Sequence, residues 1–387
     1  MNKICVVTGS RAEFGLLLPV IKRIQKSSLL DLNLVVTGSH LSEIFGNTYL
    51  DIEKEGIPID EKIRLNLTGD SKFDMAQSTG DGIKLFSNYF LRKRPDLLLV
   101  LGDRYEIFSC CVAASMMNIP IAHIAGGETT EGAIDEFVRH SITKMSYLHF
   151  VATEVYKKRV IQLGESPERV FNVGALGVEN TLKLEKVSLN NLCNGLGIDL
   201  KQPYCVVTFH PETLGNIEVS LEITELLESL KLFSNYGFVF LKANSDAGGR
   251  LINDAILEEC KMHSNWYFFD SLDSKIFLSL LSYATAMIGN SSCGITEAPF
   301  LKVPTVNVGD RQKGRLKPSS VFDCPCNKEA IYNTILKAVN YVFNEKDNLF
   351  GCGNTSKLIV GVLEEWFKND RKFERKSFFD LNVSDNI

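Results

Sequence analysis

Hydroxyls and cations gathered directly after short apolar runs are the residues in this chain best suited to holding a phosphorylated ligand. In Ile288-Gly289-Asn290-Ser291-Ser292-Cys293-Gly294-Ile295-Thr296-Glu297 an apolar run ends, and two serines stand where a helix would begin. Backbone N–H groups at such a start, together with Ser291 and Ser292, would cradle a phosphate, and Glu297 one turn later would reach ribose hydroxyls. The plainer alternative is that a serine there is only a helix N-cap. After the next apolar run, Gly309-Asp310-Arg311-Gln312-Lys313-Gly314-Arg315 adds three cations, natural partners of a diphosphate, with Arg311 first among them.

A second set of residues is suited to moving protons. Asp103, in Leu101-Gly102-Asp103-Arg104-Tyr105-Glu106, lies just past a run of leucines. Partial burial at the rim of a sheet would tune such a carboxylate as an acid or base; the bland reading is a helix cap. His123-Ile124-Ala125-Gly126-Gly127-Glu128 is followed by Asp135, Glu136, Arg139 and His140. The glycine pair admits close backbone approach, and Glu128 follows it directly. Asp135 with Arg139 and Glu136 with His140 are also i, i+4 pairs, which would simply stabilise a helix face. His210, in Thr208-Phe209-His210-Pro211-Glu212-Thr213, ends an apolar run and is restrained by the following proline. Arg11, in Thr8-Gly9-Ser10-Arg11-Ala12-Glu13-Phe14-Gly15, either contacts a phosphate or is a solvated first-turn residue. That loop is neither GxGxxG nor a P-loop, so NAD binding and ATP hydrolysis lack their usual support.

Such loops need strands before them and helices after them, and the periodicity supplies both. Residues 4–7, 32–37, 97–101, 121–124 and 150–151 read as buried strands, while Phe14, Leu17, Leu18, Ile21 and Ile24 share one helical face. The pattern pauses between about 176 and 202, then restarts with strands at 204–209, 238–241, 266–269, 286–288 and 305–308. Buried strands alternating with helices predict parallel sheets covered on both faces. The expected fold is therefore α/β with two doubly wound halves, 1–180 and 200–355, joined by a linker near 180–200. Residues 356–387 hold a last helix and a tail, with Phe373, Phe378 and Phe379, expected to be partly ordered at best. In such sheets the loops at the carboxyl ends of the strands form the binding face, and two halves would oppose those faces across a cleft.

The bulk properties narrow the function. A chain of 387 residues exceeds what one core usually serves, and 45% hydrophobic with 23% charged residues is ordinary for a soluble globular protein. A net charge of −5 gives no support for a nucleic acid or an anionic membrane as partner. The ten cysteines are scattered, without the spacing of paired zinc ligands, and are expected to be reduced. The first apolar run is only strand-length, and no later run approaches the ~18 residues of a membrane helix. The expectation is a cytoplasmic protein with a small anionic ligand, no metal and no cofactor.

Taken in order, TGSRAEFG, VTGSHLSEIFGNT, VLGDRYEIFS, IAHIAGGE, DEFVRHSITKMS, KKRVIQLGE, TFHPET, NSDAGG, IGNSSCGITEAP and NVGDRQKGR span nearly the whole chain. Through them it resembles the hydrolysing UDP-N-acetylglucosamine 2-epimerases of the bacterial sialic-acid pathway. The resemblance implies a GT-B-like arrangement, two Rossmann-like domains with the active site in the cleft and the final helices crossing back. It implies a nucleotide sugar held mainly by the second domain, through Ser291, Ser292, Glu297 and Arg311. Arg11 and Arg104 would reach across from the first domain, and Glu136 and Asn244 complete the implied binding set. The implied catalytic candidates are Asp103, Glu128, Asp135 and His210, and the implied assembly is a homo-oligomer, dimer or tetramer. Many relatives carry a glutamate where this chain has Ala125, which has no acid–base capacity, leaving Glu128 as the nearby candidate for that role.

The implied chemistry is loss of the nucleotide diphosphate from C1 with removal of the C2 proton, giving 2-acetamidoglucal. Water then adds at C1, and C2 is protonated from the other face, releasing free N-acetylmannosamine and UDP. Cations at the leaving diphosphate and at least one carboxylate near C2 are required. Three other readings stay open. A UDP- or GDP-linked N,N′-diacetylbacillosamine would use the same motifs. A glycosyltransferase would share the cleft but need no base at C2, which Asp103 and Asp135 argue against. A catalytically silent sugar-nucleotide binder would fit Ala125.

Overall fold

The computed structural model of the chain describes residues 1–381 apart from 67, 68, 70, 216, 244, 245, 345–347 and 370–372. In the first half, β1 (Asn2–Thr8), β2 (Leu30–Val36), β3 (Glu61–Lys62), β4 (Leu97–Leu101), β5 (Ile121–Ile124), β6 (Leu148–Val151) and β7 (Val170–Asn172) form one parallel sheet in the order 3-2-1-4-5-6-7. In the second, β8 (Tyr204–Thr208), β9 (Gly237–Leu241), β10 (Trp266–Phe269), β11 (Ala286–Gly289), β12 (Thr305–Val308) and β13 (Val321–Cys324) form another, in the order 10-9-8-11-12-13. Each order reverses once, between β1 and β4 and between β8 and β11. At such a switch point neighbouring loops leave in opposite directions, and a crevice opens between them.

The central strands read as apolar runs because both of their faces are covered. Every residue of β4, β5 and β6 is buried, as is every residue of β8, β11 and β12. The strands that periodicity does not reveal are β3, β7 and β13, two to four residues long, at the sheet edges and partly exposed. A half-covered edge strand needs no continuous apolar run, so it leaves no such signal.

The helix Arg11–Lys26 shows how each loop is launched. Ser10 is its N-cap, with the hydroxyl accepting from the Glu13 N–H, and Phe14, Leu17, Val20, Ile21 and Ile24 are buried against the sheet. The expected linker contains two short helices, Leu176–Leu182 and Leu189–Leu196. Leu176 belongs to the core of the first sheet and Leu192 to that of the second, so the chain changes halves between them.

The helix Thr355–Lys368 then returns to the first half. Ile359, Val360, Leu363 and Trp366 share a core with Val20 and Ile24, and the Arg23 Nε donates to the Ser356 hydroxyl at 2.8 Å. Of the tail, the described residues 373–381 are docked on the first half. Phe373 packs on Trp366 and Tyr147. Lys376 Nζ reaches Glu165 at 2.7 Å and the carbonyls of Lys144 and Ser146, and the Phe379 N–H donates to the Gly164 carbonyl at 2.9 Å. Phenylalanines and charges without a helical or strand period look disordered in isolation; here a complementary surface orders them. Among the described residues no helix is long and apolar enough to cross a membrane.

Candidate active site

A cavity of about 450 Å³ lies where the carboxyl ends of the two sheets face each other. Its walls include Arg11 from the loop after β1, and Asp103 and Arg104 from the loop after β4. Glu128 and Asp135 follow β5, His210 follows β8, Ser291, Ser292 and Glu297 follow β11, and Arg311 follows β12. The strand ends on either side of both switch points thus supply the walls. Of the candidate residues, Glu136 does not line the cavity, and Asn244 lies outside the described residues.

On the first half, the two bland readings of the carboxylates give way. Arg104, not Asp103, is the N-cap of the helix Tyr105–Met116, and it makes no side-chain cap bond. Asp103 is instead ion-paired to Arg139, whose guanidinium also donates to the Glu128 carbonyl and the Thr130 hydroxyl, each at 3.1 Å. The i, i+4 pairing expected of Asp135 with Arg139 is absent; Asp135 meets Arg311 of the second half at 3.4 Å. Glu136 and His140 do pair, at 3.1 Å, and the other oxygen of Glu136 accepts the Thr130 N–H at 2.5 Å. Glu136 therefore orders the 128–131 loop from behind, which is why it stays out of the cavity. Burial pushes the Asp135 carboxyl up, against the opposing pull of Arg311.

On the second half, the serines are not spent as helix caps. The helix Cys293–Thr296 has Ser292 at its N-cap position with no side-chain cap bond, and the Ser291 hydroxyl lies 3.2 Å from Cys293 Sγ. Gly289 before them has φ +129°, and a Cβ there would collide with the Thr208 carbonyl of β8. Only glycine lets the two switch-point strands run this close. Glu297 is buried, takes a hydrogen bond from the Thr296 hydroxyl, and is pushed up by burial. The His210 imidazole is pushed down to about 3 by burial and by the cations Arg311 and Arg104, so it is neutral at pH 7. Its backbone is clamped by Asn290, which accepts the His210 N–H and donates to the His210 carbonyl, both at 2.8 Å.

Charges from the two halves interlock across the cleft. Arg104 bonds to Glu106 at 3.2 Å and to Asp246 of the second half at 2.9 Å. Burial alone would raise Asp246, but Arg104 and Arg311 more than offset it and hold the carboxyl below its ordinary value. Arg11 donates to the Ser271 hydroxyl at 3.0 Å while pairing with Asp51 at 3.1 Å. Arg315 pairs with Glu128, whose carboxyl burial pushes up against the pull of Arg315 and Arg159. The Nε–H groups of Arg311 and Arg315 are buried without a hydrogen-bond partner. Unmet donors of this kind, lining a cavity, suit an anionic ligand.

Four functional residues escape a motif-by-motif reading. Arg139 looked like the partner of Asp135 because i, i+4 spacing favours that pair, yet it serves Asp103. Asn290 sits inside the Gly-Asn-Ser-Ser run, but its task is a backbone clamp on a loop 80 residues away. Arg315 and Gln312 were visible only as members of a basic turn; Gln312 Nε2 donates to the Asn290 carbonyl at 2.8 Å and so braces that turn. Among the described residues no group of three His, Cys, Asp or Glu side chains is gathered as a metal ion would require.

The arrangement can be compared with known proteins. The family model described as UDP-N-acetylglucosamine 2-epimerase matches residues 22–364. The chain is 41% identical to the polysialic acid biosynthesis protein P7 of Escherichia coli, covering 98% of each. It is 43% identical to the GDP/UDP-N,N′-diacetylbacillosamine 2-epimerase (hydrolyzing) of Campylobacter jejuni, covering 84% of this chain and 85% of that one. Among solved structures, the UDP-GlcNAc 2-epimerase of Methanocaldococcus jannaschii in complex with UDP-GlcNAc and UDP superposes with a TM-score of 0.79 at 22% identity, over 94% of this chain and 99% of that one. The shared fold is GT-B-like, two parallel-sheet α/β domains around a cleft.

Proposed function

The chain belongs to the UDP-N-acetylglucosamine 2-epimerase family, and from that we propose that it is a hydrolysing 2-epimerase converting UDP-N-acetylglucosamine to N-acetylmannosamine and UDP, a step that feeds sialic-acid synthesis. The observation that carries the reading is the contact of Asp135 with Arg311 at 3.4 Å. A carboxylate of the first half and a phosphate-binding cation of the second share one point in the cavity, as elimination at C1 and C2 demands. Full-length similarity to a polysialic acid biosynthesis protein supports the assignment to this pathway.

In this reading Ser291, Ser292 and Arg311 hold the diphosphate and stabilise it as negative charge grows on departure. Glu297 takes the ribose hydroxyls. Arg11 and Arg104 reach the ligand from the first half, and Arg104 does so by exchanging one of its two carboxylate partners. Asp135 takes the C2 proton as the C1–O bond to the diphosphate breaks, leaving 2-acetamidoglucal and UDP. Its raised carboxyl is a better base than an exposed aspartate. Water then adds its oxygen to C1, and C2 receives a proton from the opposite face, with Asp103 and Glu128 as the remaining acid–base groups. Neutral His210 offers a hydrogen bond and no charge. Homo-oligomer formation, as dimer or tetramer, belongs to the same reading, and light scattering of the purified chain would register it.

A second reading keeps this chemistry with UDP- or GDP-linked N,N′-diacetylbacillosamine, favoured by the 43% identity to an enzyme named for that substrate. Proton NMR in deuterium oxide separates the two. UDP-N-acetylglucosamine should yield UDP and N-acetylmannosamine deuterated at C2. Turnover of the diacetylated sugar alone would transfer the assignment to the second reading; binding of UDP without turnover of either would leave a silent binder.

A further inference from the structure

Three loops of the second half meet beneath the cavity: 209–213 after β8, 290–292 after β11 and 309–315 after β12. Glu212 joins the first to the third, although it does not line the cavity. Its Oε1 accepts the Asp310 N–H at 2.6 Å and the Arg311 N–H at 3.2 Å. Two successive N–H groups converging on one carboxylate oxygen make a specific backbone seat, not a general attraction. The fit leaves no slack, because Gly309 has φ +79° and a Cβ there would run into the same oxygen. At its far end the Arg311 guanidinium is tied to the Asn290 carbonyl at 3.1 Å, and Asn290 clamps His210. Arg311 is thus anchored at the base of its chain by Glu212 and at its head by Asn290.

We propose that Glu212 is the positioning residue for Arg311, fixing the backbone from which that side chain reaches the diphosphate. The inference rests on the reading of Arg311 as a diphosphate contact. Without the carboxylate, two N–H groups lose their acceptor, the turn relaxes, and the guanidinium no longer starts from the right place. Glu212 acts on affinity for the nucleotide without touching it.

UDP would be titrated calorimetrically into the purified full chain and its Glu212→Ala, Glu212→Gln, Arg311→Ala and doubly substituted variants. Glu212→Ala is expected to weaken UDP about tenfold, the effect of removing hydrogen bonds to partly buried N–H groups. Glu212→Gln keeps an oxygen able to accept both N–H groups and should recover most of that loss. In the Arg311→Ala background, Glu212→Ala should cost nothing further. Equal losses in both backgrounds, or no loss for Glu212→Ala where Arg311→Ala shows one, would overturn the positioning role and leave the nucleotide reading intact. Unchanged affinity in Arg311→Ala, or no binding by the unsubstituted chain, would overturn the nucleotide reading and this inference with it. Should Glu212→Ala fail to fold, Glu212→Asp, one methylene too short for both N–H groups, carries the same comparison.

Discussion

Replacing Asn290 by alanine should destabilise the second half far more than an ordinary polar-to-alanine change. The Asn290 side chain is fully buried, and both of its bonds go to the backbone of His210 at 2.8 Å. Alanine removes the bonds that Asn290 makes to one N–H and one carbonyl of His210, and each such loss costs about 1–3 kcal/mol. The expected sum is about 2–6 kcal/mol. The chain has two tryptophans, Trp266 in the core of the second sheet and Trp366 on the helix that returns to the first. Urea unfolding followed by fluorescence in a Trp366→Phe background therefore reports the second half separately.

Asn290→Asp sharpens the test. Protonated aspartic acid reproduces the asparagine pattern, one oxygen accepting and one O–H donating; ionised aspartate sets an anionic oxygen against the His210 carbonyl. Its folded-state pKa must then lie above the unfolded value of about 3.9. A group raised on folding contributes stability that is fully present below the unfolded pKa and is lost as pH rises through the folded one. Relative to the unsubstituted chain at each pH, Asn290→Asp should be nearly neutral near pH 4 and lose up to about 1.4 kcal/mol per pH unit above it. A pH-independent difference, or a cost below about 1 kcal/mol for alanine, would refute the backbone-clamp argument.

Other perturbations probe the same interlock. The imidazoles of His40, His123 and His210 are each pushed down to about 3, chiefly by burial, so nitrogen NMR should find all three neutral at pH 5.5. Because these groups are depressed on folding, their contribution to stability is present above the unfolded pKa of about 6.5 and lost as pH falls toward 3; protonation of His210 near 6 in the intact chain would contradict the burial argument. Arg315→Ala leaves the Glu128 carboxylate buried and unpaired and should cost about 3–5 kcal/mol in urea unfolding, with Glu128→Leu added to it recovering most of the loss. Gly177→Ala would drive a Cβ into the Glu297 carboxylate, so UDP affinity should fall about tenfold while circular dichroism stays unchanged. Equal UDP affinity in that variant would remove Glu297 from the ribose.

Much of this was legible in the residues alone, and the reason is local. Ten strands announce themselves as apolar runs, the central ones because both of their faces are covered, and each chemical loop follows one of the ten directly. Asp103, Asp135, His210, Ser291 and Arg311 could be named because a parallel sheet puts the ends of its strands on one rim. The edge strands β3, β7 and β13 and the docking of residues 373–381 are not legible, since neither owes its order to its own periodicity. Nor does sequence show where Glu136 turns: Asp135 beside it lines the cavity, but the Glu136 carboxylate accepts the Thr130 N–H.

The sequence by itself determined two parallel α/β halves, the loops that carry the chemistry, and the supply of carboxylates and cations. Only the tertiary structure decided who meets whom. Asp135 finds Arg311 across 176 positions, passing over the i, i+4 partner Arg139 that spacing offers, and Glu128 finds Arg315 across 187. Helical spacing fixes which side chains are able to meet on one surface, and such exposed pairs are worth only a few tenths of a kcal/mol. Once the halves close, burial removes water from every charge, and a buried carboxylate must take whichever cation the opposite wall presents.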